Sequence, residues 1–310
     1  MLQYILKRLL IMVVTLWIIV TLTFVLMVTI PGSPLNEERG TNETVQRNLE
    51  AHYNLDEPYH VQYLLYLKSI ATFEFGPSIK QPTQTVNDLL GRGFPISFEL
   101  GIITIIFAVV SGIILGIVAA LRHNGVIDYM AMSFAVLGIS IPNFVLATLL
   151  IQQLAVNTGI FPVATWSSPA HMVLPVLALA TGPMAIIARL TRSTMIEVLT
   201  QDYIKMARAK GLSPWKIVFK HALKNALMPV VTIMGTLLAG ILTGTFVIEK
   251  IFAIPGMGQY FVESINQRDY PVIMGTTVFY SAFLIFMLFL VDIAYGILDP
   301  RIKVHKKGGE

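Results

Sequence analysis

The side chains that could do chemistry in this chain are concentrated between Tyr203 and Pro229, and the chemistry that they suit is binding. Lys216, Lys220 and Lys224 share one face of a predicted helix, while apolar residues recur on another face at steps of three and four. A segment with this much charge does not enter lipid, and its apolar face does not remain in water. The stretch therefore predicts a docking surface between two membrane spans, on the cytoplasmic side.

A rigid elbow is predicted in the middle of this stretch. Gly211 stands where a helix would end in a left-handed residue, a conformation that glycine adopts without steric cost. Ser213 and Pro214 predict the start of the next helix, because serine caps free backbone N–H groups and proline suits the first helical position. We expect two short helices that meet at this elbow and lie along the membrane surface.

The residues alone leave two interpretations of these helices open. In the first, the lysines contact anionic lipid headgroups and the apolar stripe enters the acyl boundary of the membrane. In the second, the helices form a lever that inserts into a soluble partner protein. Both can hold together, since the lysines can contact lipid while the elbow contacts protein.

Residues for other kinds of chemistry are missing from the sequence. There is no GxxxxGK[ST] loop for nucleotide phosphates, no nucleophile elbow of a serine hydrolase, and no cysteine. The six histidines are scattered, and no His, Asp or Glu cluster has metal-ligand spacing. A net charge of +4 is too small and too dispersed for nucleic-acid binding. We therefore predict no catalytic residue, no metal site and no cofactor bound by this chain.

The composition is that of a membrane protein. Of the 310 residues, 55% are hydrophobic and 13% are charged, about half the charge of a soluble domain. Six apolar stretches are long enough to cross a bilayer as helices. They are residues 9–30, 98–121, 130–155, 172–190, 229–248 and 272–298.

Two of these predicted spans contain prolines in their interior, and the first span could be confused with a secretory signal. Pro142 should kink the third span, and Pro175 and Pro183 interrupt the fourth. Residues 9–30 exceed the usual length of a signal sequence, and no small-residue cleavage site follows them, so we expect a retained span.

The distribution of Lys and Arg predicts the orientation. Most of the 22 basic residues fall on one side if both chain ends are cytoplasmic, and the opposite loop, residues 155–171, has none. The first two spans are separated by a long external segment, in which residues 41–52 and 58–71 are predicted to be helical. The tyrosines of the second helix suit either the headgroup layer or a partner surface.

Several motifs resemble one family of transporters. The elbow, Ala207-Arg208-Ala209-Lys210-Gly211-Leu212-Ser213, and the following His221-Ala222-Leu223-Lys224-Asn225-Ala226-Leu227-Met228-Pro229 resemble the coupling loop of peptide and nickel importer permeases. These are ATP-binding-cassette importers that an external binding protein serves. The resemblance continues through Glu249, Phe252-Ala253-Ile254-Pro255-Gly256-Met257-Gly258, Arg268-Asp269-Tyr270-Pro271 and Asp299-Pro300-Arg301.

The N-terminal part narrows the resemblance to one branch of this family. Residues 1–34 resemble the first subunit of the permease pair, and Phe75-Gly76-Pro77-Ser78 with Thr85-Val86-Asn87-Asp88 looks like its oligopeptide branch. The chain departs from the wider pattern in two places. Lys205, Met206 and Ala207 stand where the superfamily has Glu-Ala-Ala, and Ser33 stands where an acidic residue is frequent.

The resemblance implies an all-α polytopic fold with six transmembrane helices of the type I importer kind, both termini inside the cell. Residues 1–97 would form the first span and the external segment, residues 98–300 the importer domain with its coupling loop at 191–228, and residues 301–310 a basic cytoplasmic tail. Oligopeptides are the implied substrate, with dipeptides or nickel as alternatives. The implied location is the bacterial cytoplasmic membrane.

The resemblance also implies a set of partners and site residues. The partners would be a second permease subunit, two ATPases that bind Mg-ATP, an extracytoplasmic peptide-binding protein and membrane lipid. The residues expected to contact the ATPase are Ala207, Arg208, Ala209, Lys210, Gly211, Leu212, Ser213, Pro214, Trp215, Lys216, Val218 and Phe219. Polar residues expected to face the translocation path are Ser140, Asn143 and Thr243.

Two features leave alternatives open. Asp292 lies within the last span, which is compatible with a proton-coupled carrier or with simple pairing to a neighbouring helix. Gly112 and Gly116 have GxxxG spacing, which permits close helix contact either inside the chain or with a second permease.

Overall fold

The computed structural model describes residues 2–29, Leu35 and 43–298, and these residues are mostly helical. The α-helices are α1 (Leu2–Thr29), α2 (Glu43–His52), α3 (Tyr59–Thr72), α4 (Val86–Leu121), α5 (Val126–Ser140), α6 (Asn143–Leu150), α7 (Pro169–Leu199), α8 (Asp202–Ala209), α9 (Pro214–Lys216), α10 (Leu223–Ala226), α11 (Met228–Gly244), α12 (Phe246–Ile251), α13 (Met257–Gln267) and α14 (Tyr270–Leu298). The segments Ile151–Asn157 and Ile217–Ala222 wind as π-helix. These described residues contain no β-strand, which confirms the predicted all-α class.

Four helices are each long and apolar enough to cross a membrane, namely α1, α4, α7 and α14. Two further crossings follow if each of two bent helix pairs is counted as one span. One pair, Val126–Ser140 with Asn143–Asn157, is bent by 106°, and the other, Pro214–Ala226 with Met228–Leu242, is bent by 53°. Length and composition therefore support four to six spans in the described chain, and the orientation of the termini stays a prediction.

The prolines act differently from what the sequence suggests. At the third predicted span, Pro142 breaks the helix instead of kinking it, because the residue before a proline is driven out of the helical region. Ile141 is accordingly extended, with φ −87° and ψ 121°. Pro175 and Pro183, by contrast, lie inside the unbroken α7. Most of this helix is packed against neighbours, and a packed helix tolerates the loss of a backbone hydrogen bond.

The helix α4 starts twelve residues before the predicted second span. A reciprocal cap fixes this start: the Thr85 hydroxyl donates to Asp88 Oδ2 at 2.7 Å, and the Asp88 N–H donates to Thr85 Oγ1 at 3.1 Å. The apolar run alone could not show this, because the added turns contain polar residues. The two predicted external helices are present as α2 and α3.

The described residues form two compact units. The first contains residues from 1–97 and 255–293, and the second contains residues from 98–254 and 294–310. The assignment of functional domains to 1–97, 98–300 and 301–310 stays a prediction, and the tail from residue 299 onward lies outside the described residues.

In the first unit, the tyrosines of α3 pack against α1. Tyr66 is 5% exposed, and its ring lies 6.2 Å from that of Phe24. The Tyr63 hydroxyl is 2.6 Å from Thr21 Oγ1. Burial raises the pKa of the Tyr66 phenol, so the group stays neutral. For Tyr66 the predicted headgroup or partner contact is therefore wrong, because the chain's own first helix covers it. Tyr63 is partly buried and Tyr59 is exposed, so for these two the contact stays a prediction.

A buried carboxylate organises the other end of this unit. Asp269 is 3% exposed and precedes α14. It accepts hydrogen bonds from the Ser78 hydroxyl, from the Ile79 N–H at 3.2 Å and from the Lys80 N–H at 3.3 Å. Its Oδ1 also accepts from the Val272 N–H at 3.4 Å. The Arg268-Asp269-Tyr270-Pro271 motif thus fastens the segment around Ser78 to the start of α14.

Asp292, the carboxylate of the last span, is paired within the same unit. Its Oδ2 lies 3.0 Å from Arg8 Nη1 on α1, and both side chains are partly exposed. The pairing interpretation is therefore confirmed, and Asp292 has the basic companion that the sequence did not reveal.

In the second unit, the GxxxG pair of α4 packs on α7. A Cβ atom at Gly112 would lie 2.8 Å from the Met184 carbonyl oxygen, and one at Gly116 would lie 2.7 Å from the Ala188 carbonyl oxygen. Only a residue without a side chain permits this approach. Both glycines therefore serve internal packing, which decides between the two alternatives.

This packing predicts a contrast between two helical glycines. The change Gly112→Ala should lower the stability of the chain by about 1–3 kcal/mol, because its methyl group overlaps α7 backbone. The matched control Gly182→Ala, where nothing lies within 4 Å, should be neutral or slightly stabilising. Thermal unfolding of the detergent-solubilised protein measures both, and equal melting temperatures for the two variants would contradict the packing.

Candidate functional site

The candidate docking loop runs from α8 to α10, and its elbow has the geometry that the sequence predicts. Gly211 has φ +74°. The Gly211 N–H donates to the Arg208 carbonyl at 2.9 Å, and the Leu212 N–H donates to the Ala207 carbonyl at 3.2 Å. These are the two bonds of a Schellman motif, which ends a helix and fixes the direction of the following chain. The elbow is therefore a defined turn with two backbone hydrogen bonds.

The second half of the elbow differs in detail from the prediction. Pro214 occupies the start of α9 as expected, and Ser213 stands at the N-cap position. The Ser213 side chain makes no capping hydrogen bond, so the predicted role of its hydroxyl is wrong. Its carbonyl instead accepts the Ile217 N–H at 3.1 Å, which gives the helix its first turn from the backbone alone.

The apolar face of the loop is buried against the chain itself. A cluster of buried side chains joins the loop to the end of α4 and to the last turns of α7. Its members are Ile117, Ala120, Met195, Ile204, Ala207, Ile217, Val218, Ala222 and Ala226, with Leu212 packed at the edge. These residues are covered by α4 and α7, so they do not enter the acyl boundary of the membrane. Met206, Trp215 and Phe219 of the loop are exposed, and for them the lipid interpretation stays a prediction.

Two polar contacts hold the same arrangement. Asn225 Nδ2 donates to the Tyr203 hydroxyl at 2.8 Å, which links the two helices of the loop. The Thr194 hydroxyl donates to the Ala226 carbonyl at 2.7 Å, which links α7 to the end of the loop. The loop is thus fixed to α7 by apolar packing and by hydrogen bonds together.

The twelve predicted docking residues fall into an inner and an outer set. Ala207 and Val218 are buried in the cluster, and Leu212 is partly buried beside them. The remaining nine are exposed: Arg208, Ala209, Lys210, Gly211, Ser213, Pro214, Trp215, Lys216 and Phe219. The outer set combines four charged or hydroxyl side chains with two large aromatic rings.

The two aromatic rings of the outer set stack on each other. The centroids of Trp215 and Phe219 are 5.1 Å apart, with 8° between the ring planes. Trp215 is 72% exposed and Phe219 is 50% exposed. Neither ring belongs to the buried face of the loop, which contains the neighbouring Ile217 and Val218. An exposed aromatic pair ringed by cations is a surface suited to binding protein.

The residues predicted to face the translocation path are only partly brought together. Ser140 and Asn143 are both exposed and flank the 106° break between α5 and α6. The Ser140 hydroxyl donates to the Val136 carbonyl at 2.8 Å. Thr243 lies in α11, but its side chain is outside the described residues. The role of all three stays a prediction.

Sequence reasoning missed one buried ion pair in this unit. Asp128, in the first turn of α5, is 1% exposed and is held by Arg192 of α7. In the sequence, Arg192 is one of the basic residues that the charge distribution puts on the cytoplasmic side. A lone aspartate at the start of an apolar helix was the available signal, but its partner is 64 residues away in sequence.

Two family descriptions match the chain and together cover most of it. Residues 112–304 match the binding-protein-dependent transport system inner membrane component, and residues 1–100 match the N-terminal part of such membrane components.

Curated relatives match over nearly the full length. The chain is 73% identical, over 99% of its length and 100% of the relative, to the dipeptide transport system permease protein DppB of Bacillus subtilis (strain 168). It is 44% identical, over 98% of its length and all of the relative, to the oligopeptide transport system permease protein OppB of Haemophilus influenzae. The permease DppB of Lactococcus lactis is 42% identical over the same share.

Solved structures share the fold. An inward-facing form of the MetNI methionine ABC transporter matches 68% of this chain and 96% of that chain, with a TM-score of 0.56 and 20% identity. An amino acid ABC transporter matches 68% and 94%, with a TM-score of 0.54 and 16% identity. With two family matches, a 73% identical relative and this fold, the chain belongs to the family of binding-protein-dependent transport system inner membrane components, the multi-pass permease subunits of ABC importers.

Proposed function

We propose that this chain forms half of a pathway that imports short peptides, dipeptides among them, across the bacterial cytoplasmic membrane. The observation that carries this proposal is the 73% identity, over 99% of the chain, to a relative named as a dipeptide permease. The sequence motifs had favoured oligopeptides, and relatives at 42–44% identity carry both substrate names. The higher identity is the reason to put dipeptides first.

Residues 207–219 are the proposed contact with an ATPase subunit that binds Mg-ATP. Support comes from the exposed Trp215–Phe219 stack, from the flanking cations and from the rigid elbow at Gly211. A loop that transmits movement must be exposed to its partner on one side and packed rigidly against the transmembrane helices on the other. The buried cluster beneath the loop supplies this packing, since movement of the loop must carry α7 with it. The other proposed partners are a second permease subunit and an extracytoplasmic peptide receptor.

Transport by the reconstituted complex tests the proposed substrate and energy source. Proteoliposomes that contain both permeases, the ATPases and the receptor should take up a labelled dipeptide only when ATP is supplied. Uptake of a labelled tetrapeptide under the same conditions should be slower. Faster tetrapeptide uptake would restore the oligopeptide assignment, and uptake driven by a proton gradient without ATP would favour a carrier that uses Asp292.

The elbow gives a matched pair of substitutions. Gly211→Val should abolish ATP-dependent uptake, because a β-branched residue with positive φ costs about 1–2 kcal/mol or forces the turn to rearrange. Gly211→Asn should retain uptake, since asparagine tolerates the left-handed region. No atom lies within 4 Å of a Cβ at this position, so backbone strain alone separates the two variants. Normal uptake by the valine variant would count against a rigid lever.

The outer and inner faces of the loop should respond differently to truncation. Trp215→Ala should leave the melting temperature of the isolated subunit unchanged but should weaken its binding to the ATPase, by about 2 kcal/mol if the ring is a binding hot spot. Ile217→Ala, two residues away and 4% exposed, should instead destabilise the subunit itself by about 2–5 kcal/mol. Thermal unfolding and titration of the ATPase subunit measure the two effects. Unchanged ATPase affinity in the tryptophan variant would contradict the docking assignment.

A further inference from the structure

Asp128 is a buried carboxylate at the centre of a polar cluster at the start of α5. Arg192 Nε donates to Asp128 Oδ1 at 2.5 Å, and Arg192 Nη2 donates to Oδ2 at 2.7 Å. The Asn124 N–H donates to the same Oδ2 at 2.9 Å, and His123 Nδ1 lies 3.5 Å from it. The carboxylate is 1% exposed, whereas the arginine side chain is 25% exposed. This is a two-point guanidinium–carboxylate contact in which the carboxylate is shielded from water.

Such a contact resists separation more than a surface ion pair does. The fork geometry fixes both the distance and the angle between the two side chains. Pulling the pair apart would leave a charged carboxylate buried without its main partner, which is strongly unfavourable. The start of α5 is therefore held firmly to α7 at Arg192.

A second close contact lies further along the same two helices. A Cβ atom at Gly138 would be 2.5 Å from Thr181 Cγ2. Gly138 is ten residues after Asp128, and Thr181 is eleven residues before Arg192. At 1.5 Å per residue these intervals are about 15 Å and about 16.5 Å. The matching lengths mean that α5 runs antiparallel to α7 and contacts it closely at two points about three helical turns apart.

One end of this helix pair lies next to the docking loop, and the other end lies next to the break between α5 and α6. Arg192 is three residues before Met195, which is fully buried in the cluster beneath the docking loop. At the other end, α5 finishes at Ser140, next to the break at Pro142 and to Asn143. The pair α5–α7 thus connects the base of the docking loop to the polar break.

We infer that Asp128 and Arg192 are positioning residues for transport. They form a strut that stays closed throughout the cycle and makes α5, with Ser140 at its end, follow α7 when the docking loop moves. The inference rests on the proposed docking role of residues 207–219. It assigns a function to a side-chain pair that touches neither the candidate docking surface nor the candidate path.

Replacing the arginine tests the strut in the assembled importer. Arg192→Gln should leave the ATPase subunits bound in normal stoichiometry, and ATP hydrolysis should continue. ATP-dependent peptide uptake should fall by about tenfold or more, within the usual range of coupling between distant sites. The matched control Arg189→Gln removes an exposed charge from the same helix and should leave uptake unchanged. Normal uptake by Arg192→Gln would overturn the inference.

A covalent replacement separates the strut from a general role in folding. The chain has no cysteine, so Asp128→Cys with Arg192→Cys introduces two thiols and removes both buried charges. Uptake by this double variant should be low and should recover when a short bifunctional thiol reagent joins the two positions. Arg189→Cys alone should not respond to the reagent. Uptake that stays low after crosslinking, or that is normal before it, would overturn the inference.

The same measurements separate this inference from the proposed docking function. If residues 207–219 do not dock, Gly211→Val and Trp215→Ala will bind the ATPase and transport normally, whatever happens at position 192. If only the strut is wrong, those two variants will be impaired while Arg192→Gln and the crosslinked pair behave as the unmodified importer does.

Discussion

The burial of the loop's apolar stripe against α4 and α7 is the interaction on which the rest of the second unit depends. Ile204, Ile217 and Met195 are almost fully buried in this cluster, and each such side chain contributes about 1.5–3 kcal/mol relative to exposure. Because these side chains are covered by the chain's own helices, the loop cannot move independently of α7. The same burial turns Trp215 and Phe219 outward, where a partner can reach them.

Rigid contacts then extend from the loop through the unit. The Schellman bonds around Gly211 fix the angle between the two loop helices, and the bond from Thr194 to Ala226 ties the loop to α7. Gly112 and Gly116 bring α4 to within backbone contact of the same helix. The helix is interrupted at Pro142, between Ser140 and Asn143, the two polar residues predicted to face the translocation path.

The first unit shows how motif residues can serve structure as well as function. Asp269 belongs to a motif that resembles the importer family. Its carboxylate accepts hydrogen bonds from the Ser78 hydroxyl and from three backbone N–H groups. Nearby, the Tyr53 hydroxyl donates to the Ser78 carbonyl at 3.0 Å, and burial is the main cause of the raised pKa of this phenol. Asp292 is balanced by Arg8. None of these groups requires a proton-relay role to explain its position.

The sequence by itself determined the helical class, the family and the positions of several helix ends and turns. Long apolar runs have one stable form in lipid, and a glycine followed by Ser-Pro has few ways to join two helices, so α1, α7 and the elbow at Gly211 could be predicted. Only the tertiary structure decided which helix covers each apolar face. The spacing of apolar residues identifies a buried face of a helix, but it does not identify the element that packs against that face. The tertiary structure also decided the pairing of Asp128 with Arg192 and the burial of Tyr66. These contacts join residues that are far apart in sequence, and only the packing of whole helices brings them within reach.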